Sequence, residues 1–133
     1  MTTEDTKLIE AAKAVLGRFS LRKDYDAGQV AAAIRTAKGN VYTGICLDLG
    51  CGLGFCAEVA AIADMLKNRE TRIEAMVALD QRGSPIAPCG RCRETMLQVD
   101  EQNLKCRVIL SGGREVLLQQ LLPDHWLDGY QSA

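Results

Sequence analysis

Cys56-Ala57-Glu58 and Pro88-Cys89-Gly90-Arg91-Cys92 are the two stretches that decide how this chain is to be read. Together they offer three soft thiolates and one carboxylate, Glu58, that need not be a ligand. Three protein ligands leave the fourth position of a tetrahedral zinc ion open, which separates a catalytic site from a closed structural one. Each stretch lies where a loop gives way to a helical pattern. Side chains in a first turn lean toward the helix N-terminus, so Cys56, Cys89 and Cys92 can converge in front of two helix ends. Cys89 and Cys92 are separated by about 300° of helical rotation and share a face. Cys56 and Glu58 would diverge by about 200° if both were helical. They can serve one pocket only if Cys56 is a cap residue whose backbone is not yet helical. Three thiolates outweigh the charge of the dication, and something must withdraw the excess. Unpaired N–H groups at the two helix ends, each acting like about half a positive charge, are one candidate, and Arg91 is another.

Working outward, Asp48-Leu49-Gly50-Cys51-Gly52-Leu53-Gly54 is too rich in glycine for regular structure and predicts a loop. The helix that follows is expected from about Cys56 to Lys67, with Val59, Ile62, Ala63 and Leu66 buried. Upstream, Val30 to Thr36 and Val41 to Leu47 read as strands joined across Lys38-Gly39-Asn40 as a hairpin. At the start of the chain, Thr3 is a candidate cap for a helix with a stripe of Leu8, Ile9, Ala12, Val15 and Leu16, stopped by Gly17. Ile73 to Leu79 is a nearly continuous apolar run, as expected of a central strand covered on both faces. Gly83-Ser84-Pro85 and Pro88 precede a helix over about Cys89 to Val99. A fourth strand is expected at Arg107 to Leu110 and a short helix at Glu115 to Leu121, ended by Pro123; a fifth strand near the C-terminal segment is left open. Helices alternating with strands predict an α/β fold, a three-layer α/β/α sandwich around a central mixed sheet. A single domain over residues 1–133 is expected from the length.

The bulk numbers narrow the function. Apolar residues make up 47%, charged residues 25%, and the formal charge is −1 with Lys and Arg scattered. A polynucleotide binder usually shows a basic patch or stripe, so a small-molecule substrate is favoured over a nucleic acid polymer. No apolar stretch approaches the roughly 18 residues of a membrane span, and Met1-Thr2-Thr3-Glu4-Asp5 does not read as a secretory leader. Six cysteines in that setting point to a reducing cytoplasm and to metal or catalysis, not to disulfides. A closed structural zinc knot would leave Glu58 unemployed and lacks a fourth ligand at suitable spacing. A Cys-x-x-Cys redox pair explains neither Cys56 nor its helix. Three zinc-binding cysteines with a non-ligating Glu are the pattern of zinc deaminases, which exchange an amine on a base for oxygen.

These residues resemble the cytidine deaminase superfamily in its small-chain form. Ser84-Pro85-Ile86-Ala87-Pro88-Cys89-Gly90-Arg91-Cys92-Arg93 is especially similar to the blasticidin-S deaminases. The similarity extends back through Val30-Ala31-Ala32-Ala33-Ile34 and Val41-Tyr42-Thr43-Gly44. The resemblance implies zinc on Cys56, Cys89 and Cys92, Glu58 as the proton carrier, and Arg91 as compensator of thiolate charge, since Val59 stands where cytidine deaminases commonly have Arg. It implies that the backbone at Ala57 and Ala87 addresses the base, and that a homotetramer serves pyrimidine salvage. Cys46-Leu47-Asp48 matches a sugar-binding Asn-x-Glu, so Asp48 is a candidate for one hydroxyl contact and Cys46 replaces Asn. Gly28 stands where an aromatic stacks on the base, which suggests a missing pocket wall. The expected reaction is hydrolytic deamination of a free cytosine nucleoside. The alternatives are a blasticidin-S-type antibiotic deaminase or a deaminase of another amino-substituted base.

Overall fold

The computed structural model describes residues 1–130; the last three positions of the domain expected over 1–133 lie outside the described residues. The first helix, α1 (Thr3–Val15), is capped by Thr2 and not Thr3. The Thr2 hydroxyl accepts from the Asp5 N–H while the Asp5 carboxylate accepts from the Thr2 N–H, a reciprocal box that satisfies two free donors at once. The strands are β1 (Phe19–Ser20), β2 (Asp26–Thr36), β3 (Val41–Asp48), β4 (Ile73–Leu79), β5 (Pro85–Ile86), β6 (Arg107–Ile109) and β7 (Glu115–Leu117). The other helices are α2 (Ala57–Lys67), α3 (Gly90–Val99), α4 (Leu118–Leu121) and α5 (Leu127–Tyr130).

The main path of the sheet runs β3-β2-β4-β6-β7. β4 and β6 are parallel and the other pairings antiparallel, so the sheet is mixed, as expected. Alternation of side chains sorts the strands onto two cores. Ile34, Met76 and Val108 face α2 and α3, where they meet Ala61, Ile62, Met65 and Met96. Ala33, Ala75, Val77 and Ile109 face the other way, onto Leu8 and Ala12 of α1. Helices on both faces of one sheet make the three-layer α/β/α sandwich.

Two further local expectations are corrected. The buried face of α2 is Ala57, Glu58, Ala61, Ile62 and Met65, whereas Ala63 and Leu66 are exposed and Val59 only half-buried. α2 is apolar around most of its circumference, so periodicity alone leaves its phase loose. Glu115 to Leu121 is not one helix: Glu115–Leu117 pairs antiparallel with β6 before four residues turn helical. The two-residue strands β1 and β5 carry no period for a sequence pattern to detect.

The start of α2 lies unusually close to the sheet. Ala32, Ala57 and Ala78 form a small buried cluster there. A Cβ placed on Gly44 would come within 2.5 Å of both the Ala57 carbonyl oxygen and the Ala61 nitrogen. Small residues on three strands, Ala32, Gly44 and Ala78, therefore fix where the first turn of this helix sits.

Candidate active site

Cys56 and Cys89 occupy the N-cap positions of α2 and α3, with extended backbones (φ −75°, ψ 155° and φ −70°, ψ 170°). This is the one arrangement that lets Cys56 and Glu58 serve the same pocket. The loop before Cys56 is pinched shut by Leu47 and Phe55, whose backbones exchange two hydrogen bonds of 3.0 Å. The loop before Cys89 is held by Asp80, which accepts from the N–H groups of Arg82 and Ser84. Arg93 ties the Pro88 and Leu121 carbonyls together at 2.8 and 2.9 Å.

The three sulfurs of Cys56, Cys89 and Cys92 lie within 4.8 Å of one another. Cys56 Sγ is 3.4 Å from Cys89 Sγ, which is 3.5 Å from Cys92 Sγ. Those separations are far beyond a disulfide bond. Thiolates about 2.3 Å from a tetrahedral zinc would stand roughly 3.8 Å apart, so the cluster fits that ion with only slight opening. Among the described residues this trio is the only group with metal-binding spacing, and all six cysteines are free.

The electrostatics differ from thiol to thiol. Burial pushes the Cys92 thiol far up, with Glu58 adding to the effect. Burial also raises Cys56, reinforced by the Cys89 thiol. At Cys89 burial acts upward but is outweighed by the Cys92 backbone N–H, the neighbouring thiols and the Arg91 backbone N–H, so its net shift is downward. The first turn of α3 thus supplies part of the charge withdrawal that a thiolate trio requires. Glu58 is 4% exposed, and burial raises its carboxyl above the usual carboxylate range.

These groups open onto a cavity of about 540 Å³, within the usual size for a small-molecule site. Cys56, Ala57, Glu58, Ala87, Cys89 and Arg91 line it on the helix side, and Cys46 and Asp48 line it on the strand side. Cys92 is fully buried behind them. Cys46, Asp48, Cys56, Ala57, Glu58, Ala87, Cys89 and Arg91 therefore lie at this cavity, with Cys92 beneath them. The Arg91 side chain is exposed at its edge.

Gly28 does not line the cavity and is not a missing wall. Its φ is +85°, and a Cβ there would lie 2.1 Å from the Gly17 carbonyl oxygen. The lining instead includes Gln29, Val30, Phe55 and Ile86, which sequence reasoning passed over. Gln29 is the consequential omission, and its only sequence signal is the glycine before it. A second cleft, of about 580 Å³, runs along α1 past Asp5, Lys13, Arg107 and Arg114, away from the thiols.

A family profile described as the cytidine and deoxycytidylate deaminase zinc-binding region matches residues 2–107. The chain belongs to this family. A cytidine deaminase of Mycobacterium tuberculosis is 34% identical over 101 residues, spanning 75% of this chain and 74% of the relative. The crystal structure of cytidine deaminase from Burkholderia pseudomallei superposes with a TM-score of 0.74 at 30% identity, covering 95% of this chain and all of that one. The crystal structure of the Mycobacterium tuberculosis enzyme gives 0.77 at 28% identity, covering 94% and 98%. The protein is accordingly a zinc-dependent hydrolytic deaminase of the cytidine type. The comparisons support the cytidine deaminases and do not favour the antibiotic-directed alternative. Among the described residues, no helix is long and apolar enough to cross a membrane.

Proposed function

We propose that the protein deaminates a free cytosine nucleoside at C4, with Cys56, Cys89 and Cys92 as zinc ligands and Glu58 as the proton carrier. One observation carries this reading: three thiols converge at two helix ends beside a buried carboxyl on the floor of a nucleoside-sized cavity. Zinc, when bound there, would supply Lewis-acid activation of water. Glu58 would take a proton from the attacking water and deliver it to the ring nitrogen beside C4, then carry a second to the departing amine. The C4–N bond breaks, a C4–O bond replaces it, and water and cytidine become uridine and ammonia. Burial of Glu58 suits this shuttle, because a carboxyl away from bulk water can hold a proton as well as release one.

The backbone at Ala57 and Ala87 holds the base edge, Arg91 offsets thiolate charge at the rim, and Asp48 with Cys46 faces the sugar. A free nucleoside is favoured over a polynucleotide because the formal charge is −1 and Arg91 is the only cationic side chain among the cavity residues. Six free thiols support a reducing cytoplasm and a place in pyrimidine salvage. A homotetramer is the proposed assembly, supported by exposed apolar side chains on the surface. Trp126 and Tyr130 stack with ring centroids 4.1 Å apart while remaining more than half exposed. Sedimentation of a fully active monomer would refute that assembly.

The reading is tested by metal analysis coupled to ammonia release over cytidine, deoxycytidine, blasticidin S, adenosine and guanine. It expects one zinc per chain and turnover of the cytosine nucleosides. Turnover of adenosine or guanine with no cytosine compound accepted would overturn the substrate while leaving the chemistry in place.

A further inference from the structure

Between Ala27 and Ala31, β2 takes a detour. β2 advances from Ala27 to Ala31 while its partner β3 moves only from Leu47 to Ile45. Gly28 makes the detour possible, because its φ of +85° and the Gly17 carbonyl pressed against it leave no room for a side chain. Bulges of this kind re-aim side chains next to active sites. Here the detour brings Gln29 and Val30 to the wall of the cavity that holds no metal-binding thiol.

Gln29 is not left to find its own orientation. The Cys46 thiol donates to Gln29 Oε1 at 3.3 Å, and the Val30 N–H donates to the same sulfur at 3.3 Å. Cys46 is thus a relay between the strand backbone and the carboxamide. With Oε1 engaged, the Gln29 amide nitrogen has two N–H donors and no partner among the described residues. Gln29 is half-buried and lines the cavity, so a bound ligand can take these donors over from solvent.

Which part of the ligand they meet follows from ring chemistry. If C4 lies at the thiols and Glu58, then N1, directly across the six-membered ring, points away from them and carries the sugar toward the opposite wall. Gln29 and Asp48 both line that wall. A carboxylate beside the carboxamide disfavours an anionic group there, whereas a hydroxyl can accept from Gln29 and donate to Asp48.

The geometry points to Gln29 as a specificity-determining residue that donates hydrogen bonds to the 2′,3′ hydroxyl edge of the nucleoside sugar, with Cys46 as its positioning residue. This rests on the cytosine nucleoside reading above. The test compares cytidine with 2′,3′-dideoxycytidine, each measured by turnover and as a competitive inhibitor. Gln29→Leu should raise KM for cytidine roughly tenfold, the loss of about one hydrogen bond, and leave kcat within about twofold. It should leave dideoxycytidine binding unchanged. Cys46→Ala should also raise KM for cytidine. Cys46→Ser, which keeps a donor and an acceptor, should restore it, and Cys46→Ala should add nothing to Gln29→Leu. Equal losses on both nucleosides, no loss on either, or additive effects of the two substitutions would overturn the assignment. If the unmodified enzyme released no ammonia from cytidine, the functional reading itself would fall and take this assignment with it.

Discussion

Gly44→Ala, the addition of one methyl group outside the cavity, is expected to disable the enzyme. Gly44 pairs with Ala32 in the middle of the β2–β3 ladder, and its backbone lies outside the left-handed region, so the cost is steric and not conformational. A Cβ there meets the Ala57 carbonyl oxygen and the Ala61 nitrogen at 2.5 Å and the Ala60 Cβ at 2.7 Å. Two of these are main-chain atoms of α2 and cannot swing aside as a side chain would. The helix must retreat by about 0.9 Å to reach ordinary contact at 3.4 Å. Overpacking of this kind costs about 1–3 kcal/mol, which for 133 residues corresponds to a fall in Tm of roughly 4–11 °C. Cys56 caps that helix and Glu58 lies in its first turn. A displacement near 1 Å typically costs about a hundredfold in rate, and metal ligation tolerates only about 0.2 Å. The assays are kcat/KM on cytidine, zinc per chain and Tm, with Gly39→Ala as the control. Gly39 has a φ of +89° at the hairpin tip and open space around it, so its substitution strains the turn without moving α2. An activity loss in Gly44→Ala no greater than in Gly39→Ala would refute the argument.

Glu58→Gln should retain zinc and fold normally while losing at least about 10²–10⁴-fold in turnover, because an amide cannot shuttle protons; zinc loss in that variant would make Glu58 structural. Cys92→Ser should abolish tight zinc binding, read by metal analysis, since it removes one of three soft ligands from a buried position. Asp5 is 1% exposed and accepts from Arg107 at 2.9 and 3.0 Å and from Arg35 at 3.3 Å. Asp5→Asn should cost about 3 kcal/mol of stability, in a denaturant titration, without changing kcat. Arg107 holds the Asp5 carboxyl well below the usual carboxylate range. The unfolded chain therefore binds more protons between the two values, and stability rises with pH there. The Asp5 contribution should be fully present above about pH 4 and fade as pH falls further, so the gap between Asp5→Asn and the unmodified protein should close in acid.

Much of the site was legible in the sequence because its chemistry is local. Cys56 with Glu58, and Cys89 with Cys92, each lie within one helical turn, and the need for a non-helical Cys56 followed from the angle between it and Glu58. The central strand at Ile73–Leu79 was equally plain, since burial on both faces writes itself as an apolar run broken only by the exposed Glu74. What escaped depends on contacts distant in sequence. The aim of Gln29 is set by Gly17 pressing on Gly28 and by Cys46 on the next strand, and none of these shows as a period. The phase of α2 is set by where Gly44 and Ala32 let Ala57 and Ala61 approach the sheet, which buries Ile62 and Met65 on the same side and leaves Leu66 outside. The cap fell to Thr2 because Asp5, three residues on, completes the box with it.

The central claim is that three cysteines hold a zinc ion on which cytidine deamination depends. Its most direct test is to strip the purified protein of metal with a chelator, titrate zinc back, and follow ammonia release from cytidine. Activity should vanish in the metal-free protein and return in proportion to zinc, saturating at one equivalent per chain. Undiminished ammonia release from protein shown to be free of metal would contradict the account.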